Sequence, residues 1–132
     1  MIYPIRRLLL VTVFISLCSP SGVRAGGNYE LTCKTEACQF KQNATFGGGI
    51  IFEQVTGYCV RDEHFVHVTW VRGEKPPEPV RIFDAQTGNV IEMYRCPECR
   101  DPFLPIQEAR DVKYCPRCHR PSLEYRLIGF LD

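Results

Sequence analysis

The 132-residue sequence has no excess charge of either sign, with 16 basic residues against 15 acidic ones. Nowhere does it hold an apolar run of the roughly 20 residues that a bilayer-spanning helix needs. Without a basic footprint to neutralise phosphates, nucleic acid is not an expected partner. Histidine is scarce, with three in the chain, and Ser122 has no evident partner. No constellation of nucleophile, base and orienting group is therefore present, and the chain is not expected to be an enzyme. Phe46-Gly47-Gly48-Gly49 is too short for a phosphate cradle and lacks a following Lys and Ser/Thr, so it reads as a hairpin or loop needing unusual φ.

The longest apolar run, Leu8 to Leu17, is preceded by Arg6 and Arg7 and followed by Val23-Arg24-Ala25, a small-residue cleavage site. Residues 1–25 thus read as a cleaved export signal, and the mature chain as periplasmic or secreted, touching a membrane only through that signal. Arg6-Arg7 resembles a twin-arginine signal, and Ile15-Ser16-Leu17-Cys18 a lipoprotein box, although Ile5, Val11 and the bulky Leu17 depart from those patterns. Cleavage removes three basic and no acidic residues, which leaves the mature chain slightly acidic.

What the sequence does have is cysteine, eight in all. Cys96-Pro97-Glu98-Cys99 is answered by Cys115-Pro116-Arg117-Cys118, the spacing of a four-thiolate zinc site. Proline after the first cysteine fits, because that position needs a fixed φ and can spare its N–H. Over residues 92–130 the chain resembles the zinc ribbons, including the rubredoxin-like ones, with Arg100 and His119 where a glycine often follows the knuckle. The resemblance implies small zinc-bearing β-hairpins and is specific for metal chemistry, not for a biological role.

The first half echoes the second. Gly57-Tyr58-Cys59-Val60-Arg61-Asp62 lies over Lys113-Tyr114-Cys115-Pro116-Arg117-Cys118, with Asp62 at the place of the fourth thiolate, and Cys33 to Cys38 precedes it as Cys96 to Cys99 precedes its own partner. The predicted fold is mainly β: two zinc-ribbon-type units in tandem, over 26–73 and 80–132, joined by the proline-rich linker 74–79. Cys96, Cys99, Cys115 and Cys118 form the expected zinc site of the second unit. Cys33, Cys38 and Cys59 form a second candidate site with His64 as fourth ligand, chosen because Cys59-x4-His64 matches the spacing of Cys33-x4-Cys38. Asp62 is the alternative ligand and His67 lies out of pattern; a Cys33–Cys38 disulfide also fits an exported chain. His119 is expected beside the metal and not on it.

These features predict an exported, non-catalytic protein with structural Zn2+ that presents a surface to another protein. A redox or electron-transfer protein using CPxC thiols or iron, and a metal carrier at the first site, are the other readings.

Overall fold

A computed structural model describes residues 26–131. The export signal read over residues 1–25, with Cys18 in it, lies outside the described residues. The fold is mainly β, built from small antiparallel sheets. The strands are β1 (Gly27–Cys33), β2 (Lys41–Phe46), β3 (Phe52–Cys59), β4 (His64–Val71), β5 (Val80–Asp84), β6 (Asn89–Arg95), β7 (Pro102–Phe103) and β8 (Leu123–Phe130). They form three sheets with orders β2-β1-β8, β3-β4 and β5-β6-β7.

β4 sits where alternation and β-branching place it. In β4, Val66 is buried and Val68 and Trp70 are half-buried, while His67 and Thr69 on the opposite face are exposed. The β5–β6 hairpin turns on Asp84, whose carboxylate accepts the Gln86 N–H at 3.0 Å and the Thr87 hydroxyl at 2.7 Å. Gly88 supplies the left-handed residue at φ +72°. The Thr87 hydroxyl holds the Asp84 carboxyl below its ordinary range. Between Ile106 and Val112, only a single 3-10 turn forms, at Ala109–Asp111.

Strand pairing does not respect the proline-rich stretch at 74–79. β8, at the end of the second half, lies against β1, at the start of the first, from Gly27 opposite Phe130 to Cys33 opposite Leu123. The two ends of the described chain meet where Leu131 N–H donates to the Gly26 carbonyl at 2.9 Å. Glu30 on β1 ties the sheet together, pairing with Lys41 of β2 at 3.0 Å and Arg126 of β8 at 2.9 Å. The expected tandem units are thus interleaved, because one central strand bonds to partners from both halves.

Two apolar clusters form the core, and each spans both halves. One gathers Leu31, Phe40, Ala44, Phe46 and Phe65 with Ala109 around Cys33 and Cys115. The other packs Val66 and Phe103 around Cys59 and Cys96. The second is sealed at Gly57, where an added Cβ would stand 2.1 Å from Phe103 Cδ2 and 2.5 Å from the Leu104 carbonyl oxygen. Phe103 is 2% exposed and has nowhere to retreat. Gly57→Ala is therefore expected to cost about 2 kcal/mol or more, lowering Tm by about 10 °C in a domain of this size. A thermal melt within about 2 °C of the parent would contradict this.

Candidate metal centres

Four short knuckles interrupt the strands, at residues 33–38, 59–62, 96–99 and 115–118. In the last, the Cys115 N–H donates to the Arg120 carbonyl at 2.9 Å and the His119 N–H returns to the Cys115 carbonyl at 2.8 Å. The knuckle at 96–99 repeats both bonds, Cys96 N–H to Asp101 at 2.7 Å and Arg100 N–H to Cys96 at 3.0 Å. In the longer first knuckle the Cys33 N–H reaches the Phe40 carbonyl at 2.9 Å. Cys59 stands directly opposite His64 at the closed end of the β3–β4 ladder, the equivalent position.

The backbone marks these turns as one motif. Among the described residues, the non-glycine positions with positive φ are Gln39 (50°), Glu63 (54°), Arg100 (68°) and His119 (58°). Each directly follows the second donor of a knuckle: Cys38, Asp62, Cys99 and Cys118. A left-handed non-glycine residue costs on the order of 1–3 kcal/mol and persists where its surroundings impose it. The missing glycines noted in the sequence have not changed the turn. Asp62 stands in the same geometric place as the three cysteines, which its register in the sequence had suggested.

The knuckles combine across the halves. Cys33, Cys38, Cys115 and Cys118 converge into one donor set, here site 1, and Cys59, Asp62, Cys96 and Cys99 into another, site 2, with the donor atoms of each set within 4.8 Å of one another. In site 1 the Sγ atoms of Cys33 and Cys118 lie 3.6 Å apart, as do those of Cys38 and Cys115. In site 2 Cys59 Sγ is 3.4 Å from Cys99 Sγ, and Asp62 Oδ2 is 3.3 Å from Cys59 Sγ and 3.2 Å from Cys96 Sγ. A tetrahedral metal with bonds of about 2.3 Å sets sulfurs about 3.8 Å apart, whereas a disulfide needs about 2.05 Å. The seven described cysteines are free. Both sets can hold a metal ion.

This arrangement differs from the one read in the sequence. The structure does not bring Cys96 and Cys99 to Cys115 and Cys118, nor Cys33 and Cys38 to Cys59 and His64. It exchanges the knuckles reciprocally, so each set still contains one knuckle of each type. The physical reason is the β1–β8 ladder. It ends at Cys33 opposite Leu123, and beyond it the Lys34 N–H donates to the Ser122 carbonyl at 2.8 Å, which holds the first knuckle against the last. At the other site, Ile106 bridges Thr56, and Arg61 pairs with Asp101 at 2.8 Å, drawing the two middle knuckles together.

His64 is beside site 2 and outside its donor set. Its Nδ1 donates to the Asp62 carbonyl at 2.8 Å, and its Nε2 lies 3.5 Å from Glu98 Oε1 on the facing knuckle. The Asp62 carbonyl, and then Glu98, raise its pKa and favour the imidazolium, a poor metal ligand. His67 is exposed on β4, and His119 follows site 1 as the left-handed residue.

The thiols are strongly differentiated. The Ser122 hydroxyl, 3.1 Å from Cys33 Sγ, draws that thiol down to about 6. Burial pushes Cys38 and Cys99 up to about 12 and raises Cys59 as well. A backbone bond at Arg120 lowers Cys118, and the thiols of Cys99 and Cys96 hold Asp62 below the usual carboxylate range. Four adjoining donors cannot all be anionic without a cation between them, and a metal ion could supply it. Around site 1, Arg117 donates to the Cys38 carbonyl at 3.3 Å and stands over the Phe40 ring at 5.7 Å, again linking the halves.

No protein-family model, curated protein or solved structure matches this chain. The chemistry of the donor sets therefore carries the functional reading.

Proposed function

We propose that this is an exported, non-catalytic metal-binding protein, in which two structural zinc ions fasten interleaved zinc-ribbon-type hairpins and the folded surface engages another protein. The observation that carries the reading is the convergence of all four knuckles, each with the same left-handed closing residue, into two sets of four donors. Four protein ligands leave no coordination position for water, which favours a structural ion over a catalytic one. Sulfur with a carboxylate suits zinc in site 2 better than an iron–thiolate centre. Export rests on the sequence of residues 1–25. For partner binding, the support is the β5–β6 hairpin, where Phe83 is 67% and Val90 60% exposed.

Elemental analysis of purified protein should give two zinc ions per chain and a colourless solution. Asp62→Ala should leave one tightly held ion, because the closed tetrahedron of site 2 loses a ligand while site 1 is untouched. A red, iron-loaded protein, or a chain that stays folded without metal while its cysteines are reduced, would overturn the reading. Asp62 also gives the carrier reading its place: a carboxylate is a weaker partner for zinc than a thiolate. Rapid, chelator-driven loss of one ion beside slow loss of the other would favour that role for site 2.

A further inference from the structure

The sulfur contacts within the two sites have a pattern that metal binding alone does not require. The sulfur–sulfur contacts of hydrogen-bonding geometry run between knuckles: Cys33 with Cys118 and Cys38 with Cys115 at 3.6 Å, and Cys59 with Cys99 at 3.4 Å. Each also joins a buried residue to a half-buried one, because Cys38, Cys99 and Cys118 are the half-buried cysteines, while Cys33, Cys59 and Cys115 are buried. One thiol remains outside this pairing. Cys96, 0% exposed, has Asp62 Oδ2 at 3.2 Å, and Asp62 occupies the place its sulfur partner would have had.

Resting on the two-site reading, we propose that the centres form an oxidative metal-release device, in which a disulfide oxidant converts them to three defined cross-knuckle disulfides and leaves Cys96 reduced. The half-buried cysteine of each pair, its sulfur held as a thiolate by the metal, attacks a sulfur of the small disulfide, forming a mixed disulfide and expelling one thiolate of the oxidant. The buried partner then attacks the protein sulfur of that mixed disulfide and expels the second thiolate. Two protein thiolates lose two electrons, the oxidant gains them and departs as two thiolates that take protons from water, and zinc leaves as Zn2+ because its ligands are consumed. Site 1 needs two equivalents of oxidant and site 2 needs one.

The pairing has a structural consequence. Disulfides within a knuckle would close small rings of the strained, easily reduced kind and would leave the halves unconnected. Cross-knuckle bonds instead fasten the β1 end to the β8 end and the β3–β4 hairpin to β6, the same junctions that the metals bridge. Oxidation therefore exchanges one set of fasteners for another, and the fold survives metal loss.

The test treats zinc-loaded full-length protein with oxidised glutathione, follows released zinc with a coloured indicator, and maps cysteines by alkylation and peptide mass spectrometry, which reads Cys18 separately. Zinc content before oxidation tests the two-site reading on its own. The expected result is release of both ions, linkages 33–118, 38–115 and 59–99, alkylation of Cys96, and a circular-dichroism spectrum that keeps its β signature. Metal removal by chelator under reducing conditions should lose that signature. In Cys99→Ser, the 33–118 and 38–115 linkages should still form. Linkages 33–38, 115–118 or 96–99, retention of zinc in the presence of oxidant, or an oxidised protein as unfolded as the chelated one, would each overturn the proposal.

Discussion

Expressed alone, residues 80–132 should bind no zinc tightly and should show no cooperative unfolding, and the same should hold for residues 26–73. Either piece carries two knuckles, but the structure places them in different sites, so each piece retains half of each donor set. Separation also strips β1 of β8 and divides both apolar clusters, each of which draws buried residues from both halves. A structural zinc contributes on the order of 10 kcal/mol or more to a small fold, comparable to the whole stability of an ordinary domain. The loss is therefore expected to be complete, not graded. Mixing the two pieces with two equivalents of zinc should restore the native β spectrum, since the missing donors are then supplied in trans. Calorimetry and circular dichroism of the separate and mixed pieces check this. A 26–73 or 80–132 piece that folds alone around one zinc would support tandem sites and contradict the pairing described here.

The elements themselves were largely legible in the sequence. β4 follows from Phe65 to Val71, the β5–β6 hairpin from Asp84 to Asn89 flanked by apolar runs, and β8 from Leu123 to Phe130. The knuckles were legible too, from CPxC spacing and the shared Tyr-Cys-x-Arg register, including the standing of Asp62. β2 was not, because Lys41-Gln42-Asn43-Ala44-Thr45-Phe46 is mostly polar, with only Ala44 and Phe46 buried. It is held by pairing along its own whole length with Gly27 to Thr32 of β1. Nor could the sequence assign which knuckle meets which. Four similar turns can be joined in tandem or by exchange with the same local chemistry, and the choice is made by the β1–β8 ladder, a contact between residues about 95 positions apart. His64 illustrates the limit. Its spacing from Cys59 mimics a ligand pair, yet the residue that turns towards the sulfurs is Asp62, because the second donor of a knuckle must precede the left-handed residue, here Glu63.

Pairs of cysteine substitutions should behave non-additively in a pattern that identifies the partners. Cys33→Ser, Cys115→Ser, Cys59→Ser and Cys96→Ser should each lower the zinc content from two ions to one, because a tetrahedral structural site does not tolerate loss of one of its four ligands. Combining Cys33→Ser with Cys115→Ser should cost nothing further, since both residues serve site 1. Cys59→Ser with Cys96→Ser should likewise retain one ion. Cys33→Ser with Cys59→Ser should retain none, because it breaks both sites. Tandem pairing requires the opposite, one ion left in the Cys33/Cys59 variant and none in the Cys33/Cys115 variant. Replacing zinc by cobalt adds a second readout, since thiolate-to-cobalt absorption depends on the number of sulfurs bound. The variant lacking site 2 should keep the spectrum of a four-sulfur centre, and the variant lacking site 1 that of three sulfurs and an oxygen. The single substitutions should also lower stability by several kcal/mol each, because every one leaves a zinc-dependent junction between the halves open. Double substitutions within a site should add little to that loss, and those across sites should remove cooperative unfolding altogether.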